Sequence, residues 1–180
     1  MTDMKRLEAK FEEFCRTNGI SPKISYEMPV GYEDANGTYD VTLNTLFLNQ
    51  AILQTLPEYE RLFYLFHELR HALQYLRPEK FDLQIQRSRF YVILYNGQCY
   101  KLAENAWKDC TLQGSEDFFT RAYLSLPYEL DANAFAFETV KTICGENIEL
   151  RDLYAMWLPK EPMQYAQIEK IFDQIDIAVL

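Results

Sequence analysis

Histidine is nearly missing from this 180-residue chain: there are two, His67 and His71. That excludes a site built from three imidazoles. Positive charge is also short, with 18 Lys and Arg against 27 Asp and Glu and a formal net charge of −9. Such a field disfavours a nucleic-acid backbone and an anionic membrane surface as partners. No apolar run approaches the roughly 20 residues of a membrane-spanning helix. The opening Met1-Thr2-Asp3-Met4-Lys5-Arg6 has no signal-peptide core, so a cytoplasmic location is expected. The four cysteines (Cys15, Cys99, Cys110, Cys144) are widely spaced with no Cys-x-x-Cys pair, and reduced thiols in or near a core are expected of them. Repeats, linkers and low-complexity tracts are missing too.

What is present suits a folded, soluble α+β protein. Apolar residues make up 48% and charged residues 25% of the chain, which separates it from disordered sequences. The length points to a single domain spanning residues 1–180. Thirteen Tyr and twelve Phe supply a thick core or a cleft lined with amphipathic rings.

The two histidines belong to His67-Glu68-Leu69-Arg70-His71, an HExxH pattern. Four residues is just over one helical turn, so on a helix both rings point the same way. Two neutral imidazoles held that close can share one zinc ion, and the adjoining Glu68 can act as general base on a water at the metal. Five residues can match by chance, so the setting must carry the reading. Pro57 suits a helix start, Glu58 and Glu60 suit its positive end, and Pro78 stops the run after Arg77. Leu62, Leu65, Phe66, Leu69, Leu73 and Leu76 recur at three- and four-residue steps as one apolar stripe. His67 and His71 fall on the other side, bordered by Tyr64, Phe63, Gln74 and Tyr75. A helix apolar on both sides is expected to be covered on both.

Catalytic zinc usually takes three protein ligands and keeps one position open. With no further histidine, the third must be a carboxylate or thiolate. A second helix is expected from Pro127 to Gly145. On it Glu129, Ala132, Asn133 and Ala136 share a face whose small residues would admit another helix. Asp131 lies on a more solvated side with Glu138 and Thr142, so Glu129 is the preferred ligand. Asn133, one turn on, is placed to hydrogen-bond a histidine ring and fix its tautomer. By itself, Glu129 could be no more than a first-turn glutamate steadying its helix. An oxyanion donor would have to be a tyrosine, with Tyr123, Tyr128, Tyr75 and Tyr64 the candidates.

Elsewhere the patterns are coarser. Residues 3–17 form an amphipathic helix closed by Asn18-Gly19. Residues 22–49 read as a small antiparallel sheet just before the HExxH helix, with turns at Gly31 and Asn36-Gly37 and a break near Asn44-Thr45. Its edge offers a place for an extended peptide to pair. Residues 50–56 form a short helical turn. Phe90 to Tyr95 reads as a strand, with Asn96-Gly97 as a hairpin turn and 98–102 returning, although a helix over 86–95 fits as well. Ser115 caps a helix, 150–158 is helical, and an amphipathic helix closes the chain after Pro162.

The pairing of HELRHALQ with LPYELDANAFA resembles the ImmA/IrrE-like zinc metallopeptidases, within the broader gluzincin class. The resemblance covers about residues 38–143, including the phrase Asn44-Thr45-Leu46-Phe47-Leu48-Asn49 before the HExxH helix. It implies a zincin-like core over 38–143, with His67, His71 and Glu129 as zinc ligands and Glu68 as general base. Residues 79–122 would then be an insertion or flap, with C-terminal helices over 150–180. It also implies a protein or peptide substrate, often a transcriptional repressor. The expected activity is zinc-dependent peptide hydrolysis. The rival is a zinc-binding regulatory module that holds a protein partner without cutting it.

Overall fold

Where prolines and glycines punctuate the apolar periodicity, helices begin and end. The computed structural model describes residues 3–180. Contacts divide the chain into two compact units, one formed by the chain up to Lys80 with Ala132–Ala155, the other by Phe81–Asp131 with Met156–Leu180.

In the first unit, α1 (Asp3–Asn18) ends where the Asn18 side chain donates to the Phe14 carbonyl and Gly19 turns to φ +63°. A three-stranded sheet follows: β1 (Lys23–Ser25), β2 (Gly37–Asp40) and β3 (Thr45–Leu48), in the order β1-β3-β2. This corrects the expected all-antiparallel sheet. β2 pairs antiparallel with β3, but β1 pairs parallel, with Ile24 facing Leu46. Burial explains the order: β3 carries the fully buried Leu46 and Leu48 and takes the centre. The turn between β2 and β3 is set by Asp40, whose carboxylate accepts from the Thr42 and Leu43 N–H groups. Asn44 completes it at φ +47°.

Asn49 caps the short α2 (Gln50–Leu53) and also ties down the preceding loop, donating to the Glu33 and Ala35 carbonyls. Next, α3 (Glu58–Leu76) starts after Pro57 and stops before Pro78, as the sequence predicts. Leu65, Leu69 and Ala72 on α3 are fully buried, and β2 and β3 pack against this helix. A 3-10 turn (Pro78–Lys80) ends the segment. The helix α6 (Pro127–Cys144) runs unbroken across the boundary between Asp131 and Ala132 and ends at Gly145, φ +82°. Phe14, Phe66 and Phe135 meet edge to face, with ring centroids 5.8–6.4 Å apart. The last element here is α7 (Ile148–Met156).

The second unit has its own core. After α4 (Leu83–Ser88), three antiparallel strands follow in sequence, β4 (Tyr91–Ile93), β5 (Gln98–Ala103) and β6 (Ala106–Thr111), with β5 central. The two alternatives for 86–95 therefore each hold in part: a helix to Ser88, then a strand from Tyr91. Ser115 caps α5 (Glu116–Leu124) by accepting from the Phe118 N–H, and α8 (Tyr165–Ala178) closes the chain. Tyr91 stacks on Phe172 with centroids 4.0 Å apart, and Ile93, Phe119, Leu126 and Ile168 fill the space around them. Residues 79–122 are thus largely built into a packed body that includes α8.

Candidate metal centre

The HExxH spacing does on α3 what helical geometry requires. The Nε2 atoms of His67 and His71 lie 3.0 Å apart, with the rings perpendicular. His71 is 7% exposed. Its Nδ1 stands 2.9 Å from Oε1 of Gln74, itself 1% exposed. A carbonyl oxygen only accepts, so Nδ1 carries the proton and the Nε2 lone pair is left to face a cation. Gln74, one helical turn along the same helix, is thus placed to fix the tautomer of His71. A glutamine three residues after a candidate ligand was the available signal. Asn133 is buried on α6, one turn beyond Glu129.

Glu129 is 6% exposed in the first turn of α6. One ligand atom from each of His67, His71 and Glu129 lies within 4.8 Å of the others. Among the described residues this is the one group of three His, Cys, Asp or Glu side chains so arranged, and Asp131 is outside it. Two donors about 2.0–2.1 Å from one tetrahedral ion stand about 3.3 Å apart. The histidine pair, at 3.0 Å, is already close to that separation. Two neutral imidazoles and one carboxylate form a donor set that suits a divalent cation of borderline softness. The residues present therefore fit a metal.

Glu68 stands beside this group. Its Oε1 is 4.0 Å from His67 Nε2, and its side chain is only 13% exposed. The edge strand β2 holds it there. A Cβ built on Gly37 would lie 3.3 Å from Glu68 Cγ, 3.2 Å from Leu48 Cδ2 and 3.0 Å from the Phe47 carbonyl oxygen. A side chain at this position would oblige Glu68 and its neighbours to shift by a few tenths of an ångström. Sequence reasoning took Gly37 as turn punctuation and missed this role.

The four tyrosines separate by position. The Tyr123 hydroxyl reaches Oε2 of Glu129 at 3.5 Å, at the long limit of a hydrogen bond. Tyr128 is buried in the second unit's core, and its backbone N–H donates to Ser88 Oγ. Tyr64 donates to Glu60, and Tyr75 packs against Tyr39.

Fold and site together define an α+β protein with a His-His-Glu arrangement able to hold a metal ion. Compared with family models, curated proteins and solved structures, the chain matches none. No helix among the described residues is long and apolar enough to cross a membrane.

Proposed function

We propose that this chain is a zinc-dependent metallopeptidase acting on an extended protein or peptide segment. The observation that carries the reading is the convergence of His67, His71 and Glu129, with the Glu68 carboxylate 4.0 Å from the nearer imidazole nitrogen. Bound zinc would supply Lewis acidity, polarising a carbonyl and making water acidic near neutral pH. The chain's own residues do the rest. Gln74 keeps the His71 proton on Nδ1, so Nε2 stays a ligand. Glu129 supplies the one negative charge of the donor set, and Tyr123 steadies its carboxylate. Glu68 accepts a proton from the attacking water and passes it to the leaving amine.

The sheet edge supports a peptide as substrate. Asn49 N–H donates to the Asn36 carbonyl, and alternate residues of an antiparallel ladder bond across it. In that register Gly37 and Tyr39 turn their N–H and C=O groups away from β3, along the outer rim. An extended chain pairing there would run past Glu68. The sequence resemblance suggests a transcriptional repressor as the natural substrate.

The test starts with metal content by mass spectrometry on protein purified without a histidine tag. About one zinc per chain is expected, falling to background in His67→Ala. The zinc-loaded protein is then incubated with a mixture of unstructured peptides and with its Glu68→Gln variant as control. Cleavage by wild type, slowed 100-fold or more in the variant while zinc stays bound, is the expected result. Equal cleavage by both proteins overturns the peptidase mechanism. Zinc binding with no cleavage of any peptide leaves the regulatory module in its place.

A further inference from the structure

The second unit carries a feature unrelated to the metal residues. Cys99 on β5 and Cys110 on β6 face each other directly in the antiparallel register. Leu112 N–H donates to the Gly97 carbonyl at 2.9 Å, so the Gly97–Leu112 pair is hydrogen-bonded. Two steps along, Cys99 and Cys110 form the next pair of that kind. Such pairs have Cα atoms about 5.5 Å apart, within the roughly 4.4–6.8 Å that a disulfide spans. Facing side chains share one side of the sheet, with Cβ atoms about 4.5–5.5 Å apart. A hydrogen-bonded pair lies at the wide end of that range and a disulfide needs about 3.8 Å, so closure requires the strands to approach by about 1.5 Å. β6 is the edge strand and most of its residues are exposed, so it can supply that approach by bending.

The two thiols are unequal. Cys99 is completely buried, while Cys110 is partly exposed. Burial pushes the Cys99 thiol up to about 12, with the neighbouring Cys110 adding to the effect. Cys110 is also raised by burial, and by Asp109. Both sit as thiols at neutral pH, and only Cys110 can meet a reagent from solution. Cys110 is thus the accessible thiol and Cys99 its sheltered partner across the strands, and the raised pKa of both makes exchange slow at neutral pH and faster as pH rises.

We propose that Cys99 and Cys110 are a reversible redox pair that closes a cross-strand disulfide on exposure to a low-molecular-weight disulfide. The Cys110 thiolate attacks one sulfur of glutathione disulfide, forming a mixed disulfide and releasing one glutathione thiolate. The Cys99 thiolate then attacks Sγ of Cys110, closing the protein disulfide and releasing the second. The two cysteine protons end on the two glutathione thiols, so two protein thiols are oxidised and one small disulfide is reduced. The bend in β6 makes the bond easy to reduce again.

The full chain, fully reduced, is incubated with glutathione disulfide under native conditions, quenched with N-ethylmaleimide and digested with trypsin without reduction. Cleavage after Lys101 and Lys108 puts the two cysteines on separate peptides, 90–101 and 109–121. The expected product joins these peptides with the loss of two hydrogen atoms, while Cys15 stays unpaired. Cys99→Ser is expected to accumulate glutathione on Cys110, and Cys110→Ser to leave Cys99 unmodified. Thermal unfolding of the oxidised wild type at a higher temperature than the reduced form supports the same cross-link and needs no variant to fold. The proposal is overturned by wild-type protein that forms no joined peptide, that forms it only in urea, or that pairs either cysteine with Cys15 or Cys144.

Discussion

One three-stranded sheet puts its last strand, β3, in the middle; the other puts its second, β5, there. In the first, β1 must cross a loop and a hairpin to lie parallel to β3, and the sheet packs on α3. In the second, each strand turns straight back on its predecessor and every pairing is local. Glycine marks the difference. Gly97 and Gly114 in the second unit press on the ring of Phe119, where an added Cβ would come within 2.9 Å. Gly37 in the first presses on Glu68. The same missing side chain closes a core in one region and makes room for the Glu68 carboxylate in the other.

That contrast can be broken at defined points. The largest effect is expected from Gly97→Ala. Its φ is +84°, and the new methyl would lie 2.5 Å from the Leu112 carbonyl and 2.9 Å from Phe119. Backbone strain and overpacking together cost about 3 kcal/mol, read as a lower urea midpoint; an unchanged midpoint would mean the turn opens freely. Gln74→Leu keeps the volume but leaves His71 Nδ1–H without the Gln74 acceptor. Zinc affinity is expected to fall about 10–100-fold, measured by competition with a chelating dye, with helix content retained. Gly37→Ala should separate function from stability. Displacing Glu68 by a few tenths of an ångström is expected to slow peptide hydrolysis about tenfold, with zinc content unchanged. A variant that loses fold and rate in proportion would place Gly37 with Gly97 after all. Ser115→Ala, which removes the α5 cap, gives the smallest change, about 1 kcal/mol in the unfolding curve.

The legible parts of the molecule are those where local chemistry alone decides. Pro57 and Pro78 bracket α3, and Pro127 and Gly145 bracket α6, because ring closure and positive φ act whatever packs nearby. With both helices correct, spacing alone placed His67 with His71 and turned Glu129 toward a shared face. β6 escaped notice because Ala106-Trp107-Lys108-Asp109-Cys110-Thr111 lies at an edge and needs no apolar alternation. Its turn was disguised as well. Glu104 and Asn105 both adopt positive φ, +53° and +59°, a conformation usually announced by Asn-Gly. Without that turn the facing of Cys99 and Cys110 was invisible, since a separation of eleven residues is not one of the short Cys-x-x-Cys spacings that announce a pair. The direction of β1 was equally hidden, because alternation says which residues face inward but not which way the neighbouring strand runs.

Gly37 has a consequence for which peptides would be accepted. With no side chain at that point of the rim, an incoming chain would be judged by its spine and not by its substituents. Large and small residues would pass alike beside Glu68, whereas proline or an N-methylated residue in the facing register would be refused for want of an N–H. Scanning one susceptible peptide with proline would then map the docking register residue by residue, without any knowledge of the natural target.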